Sequence, residues 1–242
     1  MDLQLKDKNV IITGGSKGIG RSIVDQFLAE GAIVHFCARD KKGVEALLDQ
    51  YANLTNKLHG KVLDACDNKS ISEWFNSIGI VDVLVLNVSA LSGDWKQSIE
   101  VDLHSTIHTV QAALPYLTNG SAITYVSSKA ASFATPGFES YGAIKSALVH
   151  YMKSLSKSLI SSGIRVNVVS PGDTFVKDGF WDTIKQNNPE IYQATIDNNP
   201  MGRLCRPEEV AYSVAFISSP RSSFISGANL YIDGAATNHV QF

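Results

Sequence analysis

Short apolar runs recur along the chain, and most are followed by a stretch in which apolar residues return every three or four positions. Seven runs read as strands: Val10-Ile11-Ile12, Ile33–Cys37, Lys61-Val62-Leu63, Val83–Leu86, Ile123–Val126, Val166–Val169 and Leu230-Tyr231-Ile232. Helices are predicted from a glycine-rich turn through about Glu30, around Val44 to Ala52, and from about Ile99 to Leu117, with a stop near Asn119-Gly120. A long helix follows Tyr141, with Ile144, Leu148, Tyr151, Met152 and Leu155 at helical spacing. The last helix starts after Pro207, with Glu208 and Glu209 in its first turn. Val83–Leu86 has no polar position, as expected of a strand buried on both faces. This alternation predicts an α/β fold: one domain over 1–242 with a mostly parallel, doubly wound sheet of seven strands and helices on both faces. Such sheets bind ligands at the carboxyl ends of the strands, where strand order reverses.

Composition narrows the function classes. With 242 residues, 44% of them hydrophobic, the chain is long enough for one substantial core. A formal net charge of −2 gives no basic footprint for nucleic acid. No apolar run approaches the roughly 20 residues that span a bilayer, and the polar opening Met1–Lys8 predicts no signal peptide. Cys37, Cys66 and Cys205 are odd in number and scattered, which argues against a disulfide framework. The expectation is a soluble, cytoplasmic protein acting on a small molecule, with no nucleic-acid or membrane partner.

Two patterns carry chemistry. Thr13-Gly14-Gly15-Ser16-Lys17-Gly18-Ile19-Gly20 joins the first strand to the first helix. Glycines permit a tight turn and close backbone approach, and a helix N-terminus attracts a pyrophosphate; the competing reading is a plain strand-helix turn. Tyr141 and Lys145 lie four residues apart on a predicted helix, with Ser128 thirteen residues before the tyrosine. Positions i and i+4 share a helix face, so the phenol and the ammonium can meet. A phenol with an ordinary pKa of about 10 is a poor proton donor at pH 7, and a nearby cation makes it a better one. The chain repeats the spacing at Tyr125 and Lys129, but there it falls on a strand. Four strand residues span roughly 13 Å, so that pair cannot converge.

These motifs, with Asp64 after the third strand, the segment Leu86-Asn87-Val88-Ser89, the run Asn167–Gly172, and Gly227 with Asp233-Gly234, resemble the short-chain dehydrogenases/reductases over essentially the whole chain. Within that family the chain looks most like 3-oxoacyl-(acyl carrier protein) reductase and sugar- or polyol-dehydrogenase-like members. The resemblance implies a Rossmann-type fold, a nicotinamide cofactor and hydride transfer between that cofactor and a carbonyl or secondary alcohol. It assigns catalysis to Ser128, Tyr141 and Lys145. It assigns cofactor contacts to Gly14, Ser16, Lys17, Gly18, Ile19, Arg39, Asp64, Ala65, Asn87, Tyr141, Lys145, Pro171, Gly172 and Thr174. It also implies a substrate lid over 175–201 and a homotetramer or dimer; the apolar tail Val240-Gln241-Phe242 fits its interface or a neighbour's active site.

Four features qualify the resemblance. Ala38 stands where NAD-preferring members carry Asp, while Arg39 and Lys17 suit a 2′-phosphate, so NADP(H) is expected over NAD(H). Asp40 is alternatively a ribose ligand or a solvated helix start. The family often places a Thr five residues after the proline; Val176 stands there, which leaves Thr174 as the nearest hydroxyl. Asp102 occupies the place of the family's fourth catalytic residue, an Asn. A carboxylate there would favour the ammonium of Lys145, weaken its field on Tyr141 and displace the activity optimum to higher pH than in Asp102→Asn. The segment between Asn87 and Asp102 is short, predicting a cut-back rim. His104 and His108 have i,i+4 spacing, but no third ligand accompanies them, and no metal is expected. Asp102, Leu86 and the short rim also support an alternative, a catalytically weak NADP(H)-binding redox sensor or scaffold, which the intact Ser128, Tyr141 and Lys145 oppose.

Overall fold

The computed structural model describes residues 1–238, so the Val240–Phe242 tail lies outside the described residues. The strands are β1 (Asn9–Thr13), β2 (Ile33–Ala38), β3 (Leu58–Val62), β4 (Val81–Leu86), β5 (Leu117–Val126), β6 (Arg165–Pro171) and β7 (Asn229–Ile232). They form one sheet in the order β3-β2-β1-β4-β5-β6-β7, and every pairing is parallel. Order reverses between β1 and β4, which opens a crevice at their carboxyl ends.

Alternation along β1 shows how the sheet feeds two cores. Val10 and Ile12 face one layer with Ile23, Val24 and Phe27 of α1 (Gly18–Ala29) and Val210 and Val214 of α9 (Pro207–Ser218). Ile11 faces the other layer with Trp74 and Phe75 of α3 (Asn68–Ile78), Val110 of α5 (Ser105–Ala113) and Leu148 of α6 (Glu139–Leu159). Each such side chain contributes roughly 1.5–3 kcal/mol by leaving water, so these faces hold the helices more firmly than any single cap, worth about 1 kcal/mol.

Several local expectations shift. The third strand is Leu58–Val62, three residues earlier than the apolar triplet suggests, because Leu58 supplies the buried anchor of this edge strand while Val62 is exposed. α3 is not among the helices expected from sequence. Its signals are Asp67, whose carboxylate accepts from the Lys69 and Ser70 amides, and Ile71, Trp74 and Phe75 on one buried face. The helix expected over Ile99–Leu117 is composite: α4 (Trp95–Gln97), a π-helical stretch Ser98–His104, α5, and a 3-10 turn Leu114–Tyr116. The i→i+5 pattern is explicit where the Ser105 amide donates to the Glu100 carbonyl. Leu117 then begins β5 rather than ending the helix.

Candidate active site

The glycine turn lies at the carboxyl end of β1. Gly14 (φ +71°) and Gly18 (φ +56°) take left-handed conformations that disfavour side chains. At Gly20 the obstacle is space: a Cβ would lie 2.0 Å from the Gly14 carbonyl oxygen. Lys17 precedes α1 without capping it through its side chain, so the first-turn amides are left for an anion. The turn therefore fits a pyrophosphate. Ser16 and Ile19 flank it half-buried, and Lys17 is exposed.

Asn87, at the carboxyl end of β4, is a clamp on this turn. Its backbone amide donates to Thr13 Oγ1 (3.1 Å), and its side-chain amide donates to the carbonyls of Thr13 (3.3 Å) and Gly14 (3.1 Å). At the end of β2, Arg39 is exposed and lies 4.0 Å from the Asp64 carboxylate, a distance at the limit of an ion pair. Asp40 instead acts as a helix cap, its carboxylate accepting the Lys42 and Gly43 amides at the start of α2 (Lys41–Gln50). Asp64 accepts from the Cys66 amide, and Ala65 is buried beside it.

Tyr141 and Lys145 share a buried face of α6, with Lys145 Nζ 5.5 Å from the Tyr141 ring centroid. The ammonium is enclosed. It lies 3.3 Å from Asp102 Oδ1 and donates to the Val126 carbonyl at 3.4 Å, and both members of the ion pair are 1% exposed. Asp102 comes from the π-helical stretch, and its other oxygen accepts the Ala90 amide at 3.1 Å. Burial opposes charge on Lys145, but the oxygens of Tyr125, Tyr141 and Asp102 outweigh it and hold the ammonium above its ordinary range. Ser128 follows β5; its hydroxyl oxygen accepts the Ala130 amide at 3.1 Å, which leaves the O–H proton as a donor.

Tyr125 and Lys129 do not form a pair. Lys129 is ion-paired with Asp173 across the site, whereas Tyr125 is fully buried with its ring centroid 5.0 Å from Lys145 Nζ. Local spacing correctly separates Tyr125 from Lys129 but gives no sign of its approach to Lys145, a contact between a strand and a helix.

Pro171 ends β6, followed by Gly172, where a Cβ would lie 2.9 Å from the Asp233 backbone. The Thr174 hydroxyl donates to the Gly172 carbonyl at 3.0 Å, so it braces its own loop. The short rim is fastened rather than loose: the Ser92 carbonyl accepts from the hydroxyls of Ser98 (3.1 Å) and Ser140 (3.3 Å). Segment 175–201 carries α7 (Phe180–Asn187) and α8 (Pro189–Asp197). Phe180 stands edge-on to Phe138 at 5.6 Å, and Tyr192 packs against Phe175 at 6.2 Å, with Lys185 over both of those rings. The His104 and His108 rings lie 6.0 Å apart, and among the described residues no group of three or more potential ligands is placed to hold a metal.

A family model described as enoyl-(acyl carrier protein) reductase matches residues 14–237. Isoepoxydon dehydrogenase of Penicillium expansum is 34% identical, with 98% of each chain covered. The 3-oxoacyl-(acyl-carrier-protein) reductase of Thermotoga maritima is 31% identical over 96% of this chain and 98% of its own. A short-chain dehydrogenase of Burkholderia cenocepacia, solved in complex with NADP, superposes with a TM-score of 0.87 at 27% identity, covering 96% of this chain and 99% of that one. A 7α-hydroxysteroid dehydrogenase complexed with NADH and 7-oxo glycochenodeoxycholic acid gives 0.88 at 26% identity, covering 99% and 98%. The fold and site thus define a nucleotide-binding oxidoreductase with a Rossmann-type sheet. The chain belongs to the short-chain dehydrogenase/reductase family, and it resembles the 3-oxoacyl-(acyl carrier protein) reductases within it.

Proposed function

We propose that the chain is an NADP(H)-dependent carbonyl reductase or alcohol dehydrogenase in which Tyr141 is the general acid/base. The observation that supports this most is the buried Tyr141–Lys145 face, together with a glycine turn shaped for a pyrophosphate. A bound nicotinamide supplies or accepts the hydride. Tyr141 donates a proton to the carbonyl oxygen during reduction and accepts it back during oxidation. The Lys145 charge favours the tyrosinate form, and its ammonium is the donor for the ribose hydroxyls. Ser128 donates to the same carbonyl oxygen and stabilises the charge developing there. Gly14, Ser16, Lys17, Gly18 and Ile19 hold the phosphates; Asp64 and Ala65 meet the adenine; Asn87 keeps the turn in shape. Pro171, Gly172 and Thr174 line the nicotinamide side. Use of Asp40 as a helix cap and the exposure of Arg39 favour a 2′-phosphate, hence NADP(H).

The segment 175–201 is the substrate lid of a single 1–242 domain, with Phe138 and Phe180 at its edge. The assembly is a homotetramer or dimer. Tyr212 and Phe216 of α9, Phe224, and Leu230 of the edge strand β7 are exposed apolar residues suited to a subunit contact. The unpaired Cys37, Cys66 and Cys205 accord with a cytoplasmic setting, and no helix among the described residues is long and apolar enough to cross a membrane.

The buried Asp102–Lys145 pair favours a second reading, a weak enzyme that binds NADP(H) as a redox sensor or scaffold. NADPH absorbance followed with a ketone, a diketone, a sugar and a β-ketoacyl substrate separates the two. Turnover with at least one supports the reductase; tight NADPH binding with none of them turned over supports the sensor.

A further inference from the structure

Lys145 is approached by two phenols, and only one of them belongs to the proposed chemistry. Tyr125 is 0% exposed on β5, the central-sheet strand that leads to Ser128. Its ring centroid is closer to Lys145 Nζ (5.0 Å) than that of Tyr141 (5.5 Å). The Tyr125 hydroxyl is fully enclosed and makes no well-aligned hydrogen bond, and Asp102 Oδ1, although 3.3 Å from Nζ, makes none either. Asp102 Oδ1 and the phenol of Tyr125 thus face one ammonium that has three protons to give. A buried hydroxyl without a partner costs about 1–3 kcal/mol, so a cation is the partner that best offsets its burial. Burial pushes the Tyr125 hydroxyl up to about 12, so it stays a neutral dipole at working pH. It is too deeply enclosed to reach a substrate.

We propose that Tyr125 is a positioning residue: together with Asp102 it competes with Tyr141 for the Lys145 ammonium and sets how strongly the lysine acts on the reacting phenol. The groups facing the ammonium come from three elements, Tyr125 from β5, Asp102 from the π-helical stretch, and Tyr141 from α6; the Val126 carbonyl adds a neutral acceptor. Each oxygen that holds the ammonium elsewhere weakens its field at Tyr141. Removing one frees the ammonium towards Tyr141, and the pH limb of turnover moves to lower pH. The inference rests on Tyr141 being the acid/base.

Tyr125→Phe removes the hydroxyl and keeps the ring. With the full-length protein, NADPH and a turned-over carbonyl substrate, the limb of kcat against pH is expected to move down by about half a pH unit, the low end of what one hydrogen bond is worth, since the hydroxyl and the ammonium are not well aligned. KM for substrate is expected to stay unchanged. Asp102→Asn moves the limb the same way, and the double variant moves it by less than the sum, because both groups hold one ammonium. If Tyr125→Phe does not accumulate folded, Tyr125→Met lacks the hydroxyl equally and fills the space flexibly. A Tyr125→Phe profile that superimposes on the parent overturns the proposal, as does a shift to higher pH. Tyr141→Phe measured alongside keeps the two ideas apart: full activity in that variant defeats the Tyr141 assignment itself, whatever Tyr125→Phe does.

Discussion

At the end of β2, Arg39 and Asp40 carry opposite charges, and the two side chains are used differently. Asp40 commits its oxygens to the first amides of α2, while Arg39 projects into solvent with only a 4.0 Å contact to Asp64. An exposed pair at that distance contributes little, so Arg39 is available for a phosphate. Arg39→Ala is therefore expected to raise KM for NADPH about tenfold or more, the worth of one charge-assisted hydrogen bond, and to leave KM for NADH nearly unchanged. Initial rates with both cofactors check this; an equal loss with each contradicts it. Among single residues, spacing alone accounts for the approach of Lys145 to Tyr141. Tyr141 and Lys145 meet because i,i+4 spacing is a property of any helix, and Asp102 stood out by its residue type. What spacing does not encode is depth. Tyr125 reaches Lys145 because a parallel sheet lays β5 against α6, and no local pattern carries that contact.

The elements themselves are most legible where apolar periodicity is long. α6 and α9 fall close to their expected positions, whereas β3 shifts because an edge strand needs only one buried anchor, Leu58. The π-helical stretch was beyond reach, since its wider turn is a backbone property that aims Asp102 and Ser98 inward without a distinctive residue pattern. Two further expectations belong here. Arg165 of β6 is buried and donates to the carbonyls of Ile217, Ser218, Ser219 and Ile225, closing the end of α9. Arg165→Met leaves those acceptors short and is expected to cost about 3 kcal/mol, read as a lowered denaturation midpoint. On the β2–β3 edge, His35 stacks on His59 at 4.7 Å, and burial, with the neighbouring imidazole, pulls His35 down to about 4. The folded state therefore takes up this proton less readily than the unfolded chain. Stability is fully present above the ordinary value of 6.5 and is lost as pH falls towards 4. The Tm of His35→Gln is expected to fall less than that of the parent between pH 7 and about 5; an equal fall contradicts the assignment.

For the molecule as a whole, strand order decides where chemistry can occur. Reversal between β1 and β4 places the glycine turn and Asn87 together, and the next strand out, β5, leads to Ser128 and lies against Lys145. The α/β alternation is legible over most of the chain because most strands are apolar enough to be seen alone; β3, with one buried anchor, and the unexpected α3 are the exceptions, and the oligomer is an expectation from resemblance. Exposed Phe224, Tyr212 and Phe216 make a specific expectation for the proposed oligomer: Phe224→Asp with Tyr212→Asp shifts the sedimenting particle towards the monomer, and no change contradicts a contact at these residues. The proposed mechanism turns on Tyr141 moving the proton. Tyr141→Phe probes that step alone, with NADPH oxidation followed on a carbonyl substrate that the parent reduces. A fall in kcat of about 10²–10⁴-fold with NADPH affinity retained is expected, and full activity in that variant would contradict the assignment.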